Sequence, residues 1–446
     1  MKVALFVHCF FPDHVYGTET YTFDVARNLR AMGHDPVVMS AIFPGEPQKS
    51  EEISRYEYET LPVYCIDKNY FPNTRIRDTY YQPEIRGLLK ELLCEVRPDL
   101  IHVTHLINHT AVLLEVAAAL HIPVVATFTD FFGFCFNNKL EAADGSLCYG
   151  PNPTRTNCLA CYLKACGQKE GAGSVLRFAG KHPWSSVCAT GLNLLHHAAG
   201  LRSGPIGAAV DDIKQRPNVL GKLYSLYRAA IAPTRFLRDA YLDTGLTVPV
   251  HEIRFGVDVG RSPKPKRKSN SPIKFGFIGQ IAPHKGTDIL INAFCRLPKG
   301  TAELHIFGPE KQDARFMDDL KQNGKDFAVY FRGTFPREQM SDTLTELDFV
   351  VIPSRWYENS PLVLLQALAS HTPVIVSNVK GMTEFVCEGQ NGYIFSRGDV
   401  SDLERILAGI IEEPDNSRNM SSTTEYTRST RVMAEDVVKV YDSVVR

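Results

Sequence analysis

Residues 353–378 read PSRWYENSPLVLLQALASHTPVIVSN. The apolar run just before them, Phe349 to Ile352, predicts a buried strand. Ser360 is a good helix N-cap and Pro361 a good first helical residue. From Pro361 to Ser370 nearly every position is Leu, Val or Ala, so this helix is expected to be buried all round. Two polar residues break the run: Glu358 ahead of the cap, and Gln366 almost two turns inside. A helix start favours an anion, because its backbone N–H groups lack partners and the macrodipole is positive there. Glu358, Asn359, Ser360 and Pro361, with Gln366 further in, therefore predict a ligand site suited to a phosphate. The plainer readings are a solvated loop carboxylate for Glu358 and a backbone-satisfied core amide for Gln366.

Working outward, strands and helices alternate on both sides. Val3–Val7, Val37–Met39, Asp99–Thr104 and Pro123–Phe128 read as strands, and 18–32, 84–95 and 110–120 as helices. Such alternation predicts a parallel, doubly wound sheet, whose ligands gather beyond the carboxyl ends of its strands. The loops after Val7, Thr104 and Phe128 are therefore the ones that matter. Gly17 precedes a helix expected to be capped by Thr18, so backbone there can approach a phosphate, or simply turn. His102 falls inside a strand and reads as a core histidine. His105 falls at its end, and the unperturbed imidazole of a histidine titrates near neutrality, as an acid–base group should. Asp130 follows the next strand. In the second half, Ile273–Ile278 leads into GQIAPHKGTDILINAF, which places Gln280, Lys285 and Gly286 ahead of a helix at Thr287. Ala302–Phe307 is a strand ending at Gly308, and Val329–Arg332 and Val374–Ser377 are two more. Residues 431–444 read as a helix.

The chain has 446 residues, 44% of them apolar, and a net charge of −1. The length suggests two or three domains, and the charge gives no general pull towards nucleic acid or anionic lipid. The first residues read as a strand rather than a signal peptide, and no stretch approaches the ~18 apolar residues of a spanning helix. A cytoplasmic protein is expected, at most peripheral at the inner membrane face. Of eleven cysteines, five lie between 135 and 166. Cys135, Cys148, Cys158 and Cys161 have the C-x2-C pair and polar Gly/Pro loops of a tetrahedral thiolate site, so a structural zinc is expected, with an iron–sulfur cluster or free thiols as alternatives. The run RSPKPKRKSNSP, 261–272, reads as an exposed linker. It divides a first domain, 1–260, from a second, 273–430, with 431–446 as a closing helix.

The stretch around Glu358 resembles the donor-binding signature of family 4 retaining glycosyltransferases of the GT-B fold. So do the Lys285-Gly286 helix entry, Gly381-Met382-Thr383-Glu384, and Asn391–Phe395, which the resemblance implies is a hairpin. A subset of that family has a similar cysteine-rich insertion in the first domain. The resemblance implies two Rossmann-like α/β domains facing across a cleft, with a C-terminal helix crossing back to the first. It implies transfer of a sugar from a nucleotide-diphosphate donor to an acceptor hydroxyl with retention, in polysaccharide or glycolipid synthesis, with no catalytic cofactor. The acceptor would be a saccharide or a lipid-linked saccharide. Glu358 would orient the donor sugar, Gln366 would meet the ribose, Lys285 and Gly286 the diphosphate, Gly17 the same diphosphate from the first domain, and Gly308 the base. Three positions depart from the pattern: Thr129 for an acceptor-site histidine, Gln280 for an arginine, and Gln366 for a glutamate. Losing a cation at position 280 costs on the order of 2–4 kcal/mol of transition-state stabilisation unless another basic residue, Arg332 or Arg355, substitutes. His105 or Asp130 would then serve as acceptor base. The rival reading is a catalytically silent nucleotide-sugar-binding or scaffold protein. An epimerase is weaker, and a nicotinamide dehydrogenase weaker still, since no G-x-G-x-x-G follows the first strand.

Overall fold

The structure, a computed structural model, describes residues 1–169, 171–195, 204–260 and 271–445. It contains two sheets. The first has eight strands in the order β3-β4-β2-β1-β5-β6-β7-β8. These are β1 (Lys2–Phe6), β2 (Asp35–Ile42), β3 (Ile53–Tyr58), β4 (Leu61–Asp67), β5 (Leu100–Val103), β6 (Val124–Thr127), β7 (Ala229–Ala232) and β8 (Val250–Glu252). All neighbours are parallel except β3, which pairs antiparallel with β4 at the edge. The second sheet is wholly parallel, in the order β11-β10-β9-β12-β13-β14. It consists of β9 (Ile273–Ile278), β10 (Ala302–Phe307), β11 (Val329–Gly333), β12 (Phe349–Ile352), β13 (Val374–Ser377) and β14 (Gly392–Phe395).

Both sheets are doubly wound, so two α/β units of the expected class are present. One compact unit comprises Met1–Arg254 with Met433–Arg446, and the other Phe255–Val432. Residues 255–260 thus cluster with the second unit, and the C-terminal helix Thr430–Val445 returns most of its length to the first. Of the linker read at 261–272, residues 261–270 lie outside the described residues. Buried on both faces, the central strands of the second sheet read as continuous apolar runs: Phe275, Leu304, Phe349, Val351 and Ile375 are all fully buried.

Three local expectations are corrected. Helix Gly17–Ala31 begins at Gly17 with Tyr16 at its N-cap, so Thr18 lies inside it and is not the cap. Ser360 does not cap its helix either. Its backbone is left-handed (φ +61°), Pro361 takes the N-cap position, and the helix runs Leu362–Ala369. The segment Asn391–Phe395 forms no hairpin: β14 lies parallel to β13, reached through a loop that contains the short turn Thr383–Phe385.

Candidate active site

In each sheet the strand order reverses beside the first strand of its unit, between β1 and β5 and between β9 and β12. Loops leaving the carboxyl ends of such a strand pair diverge and open a crevice. Gln280 and Lys285 follow β9, and Glu358 follows β12. In the first unit, His8 and Cys9 follow β1 and His105 follows β5.

In the second unit the two loops are laced together. Arg355 N donates to His284 O at 2.9 Å, and its guanidinium to Pro283 O at 2.7 Å. The same guanidinium grips both oxygens of Asp288, at 2.9 and 2.7 Å, and the rings of His284 and Trp356 are 3.7 Å apart. Gly286 makes the close approach possible. Its φ is +73°, and a Cβ there would lie 1.9 Å from Pro353 O. Gly381 does the same behind Glu358, where a Cβ would fall 1.5 Å from Glu358 O.

This lacing brings Lys285 Nζ to 2.7 Å from Glu358 Oε1. Ser354 Oγ and Trp356 Nε1 donate to the same oxygen at 2.8 and 3.0 Å. Lys285 also lies over the Trp356 ring, 5.3 Å from its centre. Burial pushes the Glu358 carboxyl up. The Lys285 charge and these hydrogen bonds outweigh that and hold it below the ordinary carboxylate range. Glu358 Oε2 accepts none of the three bonds. Two buried hydroxyls at the neighbouring helix starts, Ser360 Oγ and Thr287 Oγ1, have no hydrogen-bond partner among the described residues. Helices Thr287–Phe294 and Leu362–Ala369 both open here. The site therefore offers one cation, one oriented carboxylate, two unsatisfied hydroxyls and two helix starts.

The other expected donor residues fall around this group. Asn359 and Pro361 flank Ser360, Gln366 is half-buried on the helix, Gln280 is half-buried just after β9, and Gly308 follows β10 with its backbone against Gly279. Neither arginine named for the missing cation stands free. Arg355 is committed to Asp288, while Arg332 stacks on Tyr330 and donates to His305 Nδ1 at 3.3 Å.

In the first unit, His105 Nδ1 accepts from Ile107 N at 3.0 Å. Its Nε2 therefore holds the hydrogen and donates to Asp130 Oδ2 at 2.9 Å. Asp130 Oδ1 accepts from Phe132 N. The carboxylate is the more exposed member of the pair, 25% against 6%. Thr129 Oγ1 donates to Thr104 O. His102 is a core residue: fully buried, it bonds Tyr441 Oη at 2.6 Å and Thr127 Oγ1 at 2.8 Å, and burial lowers it to about 3. Gly17 starts its helix with open space around it.

Cys158 and Cys161 lie on helix Thr156–Gln168, and Cys135 and Cys148 on the loop before it. The thiols are neighbours: burial, then Cys135 and Cys148, push Cys158 up to about 12. Each of the other three points at a protein oxygen, Cys135 at Asn137 Oδ1, Cys148 at Gly150 O and Cys161 at Glu141 O. No three of them lie within 4.8 Å of one another, whereas sulfurs around a shared zinc sit about 3.8 Å apart. As arranged, the four do not form a closed thiolate cage. Among the described residues, the group of three ligand-type side chains that does meet this spacing is His8, Cys9 and Glu19. Sequence reading missed it. The available signal was a glutamate on the buried face of an amphipathic helix, in line with Phe23 and Ala26.

Residues 258–427 match the family model described as Glycosyl transferases group 1, and residues 15–141 match Glycosyltransferase Family 4. Fold and matched segments define the class: a GT-B architecture with family 4-like glycosyltransferase segments. Among curated relatives, the glycogen synthase of Mycobacterium tuberculosis is 31% identical over 166 residues, 36% of this chain and 40% of that one. The D-inositol 3-phosphate glycosyltransferase of Mycolicibacterium smegmatis is 30% identical over 30% of this chain and 32% of its own. The chain thus spans less than half the length of these relatives. Two solved structures share the fold over nearly the whole chain. Anabaena HepE, in complex with UDP and glucose, has a TM-score of 0.65 at 14% identity, covering 99% of this chain and all of that one. Sucrose-phosphate synthase from Thermosynechococcus elongatus has a TM-score of 0.63 at 16% identity, covering 99% of this chain and 98% of that one.

Proposed function

We propose that the chain is a glycosyltransferase that moves a sugar from a nucleotide-diphosphate donor to an acceptor hydroxyl with retention of configuration. The observation that carries this reading is the Lys285–Glu358 pair, set between two helix starts with unsatisfied hydroxyls. In the reaction the bond from the sugar anomeric carbon to the β-phosphate oxygen breaks, and the electron pair leaves with the phosphate. The acceptor oxygen bonds the anomeric carbon and gives up its proton. Charge gathering on the diphosphate meets Lys285 Nζ and the amide-rich openings of Thr287–Phe294 and Leu362–Ala369, which need no reorganisation to receive it. Glu358 Oε2, outside the three-donor set, takes a hydroxyl of the donor sugar. Asp130, oriented by the neutral His105, receives the acceptor proton. Uridine diphosphate sugars are the first donors to try, since HepE carries UDP and UDP-glucose in its structures. The acceptor class is a saccharide or lipid-linked saccharide in polysaccharide or glycolipid synthesis. No described helix is long and apolar enough to cross a membrane. Cytoplasmic work at, or near, the inner membrane face belongs to the same proposal.

The test is release of free nucleoside diphosphate from a panel of UDP- and GDP-sugars, with and without saccharide acceptors. Turnover lost in Glu358→Ala, with folding intact, supports the reading. Nucleotide binding with no turnover on any donor supports the silent-binder reading instead, which the neutral Gln280 and the committed Arg355 favour.

A further inference from the structure

Glu19 lies on the first turn of helix Gly17–Ala31, and its carboxylate is fully buried. It accepts a bond from Cys9 Sγ at 3.0 Å and sits 3.1 Å from His8 Nε2, both through Oε1. Its other oxygen, Oε2, is buried with no hydrogen-bond partner among the described residues, and so is His8 Nδ1. A buried carboxylate with one bare oxygen is expensive: a charge taken out of water must be met by a counter-charge or a full set of donors. Neither is present. Around the cluster stand His105, whose ring centre is 4.5 Å from that of His8, and Phe43.

We propose that His8, Cys9 and Glu19 form a binding site for one divalent cation of the zinc class. Imidazole nitrogen, thiolate sulfur and carboxylate oxygen are together a borderline-soft donor set, which selects zinc or cobalt over magnesium or calcium. Ligands at zinc distances of about 2.0–2.3 Å in a tetrahedron lie roughly 3.4 Å apart. The three ligand atoms all fall within 4.8 Å of one another, with both contacts to Oε1 a few tenths of an ångström under that spacing. A cation in this position displaces the Cys9 thiol proton to solvent and supplies the missing counter-charge, and the carboxylate can turn Oε2 onto it. Two ligands come from consecutive residues after β1 and the third from the next helix, so the ion would pin the β1 loop beside the His105–Asp130 pair. The site is separate from the four thiols between 135 and 161, and it does not rest on the donor reading.

The full-length chain, freed of any histidine tag and stripped with a chelator, is dialysed against zinc, and bound metal is counted. Expected is a zinc ion whose X-ray absorption first shell holds one sulfur with nitrogen and oxygen. The stoichiometry should fall by one in Cys9→Ser and in Glu19→Gln, or the affinity weaken more than 10-fold. His8→Gln, at the more exposed ligand, gives the same readout should the buried variants fail to fold. Cobalt(II) gives a second measure, a near-ultraviolet thiolate band lost in Cys9→Ser and retained in Cys158→Ser. No metal uptake, a first shell of four sulfurs only, or unchanged stoichiometry in Cys9→Ser and His8→Gln would overturn the proposal.

Discussion

Lys285 Nζ stands 2.7 Å from Glu358 Oε1, and the other two donors to that carboxylate converge on the same oxygen. The pair is largely buried, with side-chain exposures of 23% and 11%. One oxygen is thus consumed in holding the carboxylate still while the other is kept clear. Such a division suits a residue that orients a ligand better than one that merely stabilises a loop.

The two residues should be strongly coupled. Removing either leaves a partly buried charge without its partner, so Lys285→Ala or Glu358→Ala should each cost about 1–3 kcal/mol of stability. The double variant should cost less than the sum. A double-mutant cycle by urea denaturation measures the difference, and strict additivity would mean the pair does not form in solution.

Catalysis should respond more steeply than stability. Glu358→Gln keeps the shape and removes the charge, and Lys285→Ala removes the cation; each should lower turnover about 10²–10³-fold. Steady-state rates of nucleotide release check this, with circular dichroism confirming the fold. Rates within a factor of three of the parent would place the chemistry elsewhere.

Acid should weaken the first unit well before it titrates carboxylates. Burial lowers His102 to about 3 and His109 to about 4, so both are neutral in the folded chain where the unfolded chain takes up protons near 6.5. The unfolded state then binds more protons, and stability falls as pH drops below 6.5, levelling only near those folded values. Each histidine contributes a loss of about 2 kcal/mol by pH 5. Because His102 bonds Tyr441 on the C-terminal helix, that helix should be the first to gain hydrogen exchange. Denaturation midpoints at pH 7 and pH 5 check the sign; a midpoint that does not move would refute it. The Glu358 carboxyl acts in a lower window, where its stabilisation is lost as pH falls from about 4.3 through its depressed folded value.

Much of this was readable in the sequence. Strands β9, β10, β12 and β13 have the ends assigned to them from apolar runs, because strands buried on both faces leave an unambiguous run between turn residues. Lys285 and Glu358 were assigned to one site by the family resemblance of their two stretches, each of which follows such a strand. What failed was local geometry set by distant parts of the chain. Ser360 has every preference of an N-cap. Yet the loop runs against Gly381 at Glu358, Ser360 takes a left-handed backbone, and the cap falls on Pro361. Asn391-Gly392 has the composition of a hairpin turn, but the segment between β13 and β14 is long enough to cross over and pair in parallel. Glu19 showed only as a glutamate on a buried helix face; its partners, His8 and Cys9, are brought to it by the turn between β1 and the following helix. The edge pair β3–β4 went unread, since exposed edge residues such as Arg55 and Glu57 dilute the apolar signal.

The cysteine loop gives a separate outcome. Cys158 is buried and surrounded by Leu159, Ala160, Leu163 and Val210. Cys158→Ser places a hydroxyl in that cluster and should lower the melting point and speed proteolysis within 135–166. If the four thiols hold zinc, a chelator should do the same to the parent chain. Limited proteolysis with and without chelator measures this, and an identical digestion pattern would remove the metal from that loop.

The most direct measurement is calorimetric titration of UDP into the parent chain and into Lys285→Ala. One site per chain is predicted, with at least a 10-fold weaker Kd in the variant, because the diphosphate loses its cation while the helix starts remain. Equal affinity in the two proteins would contradict the assignment of Lys285 to the diphosphate, and with it the donor site proposed around Glu358.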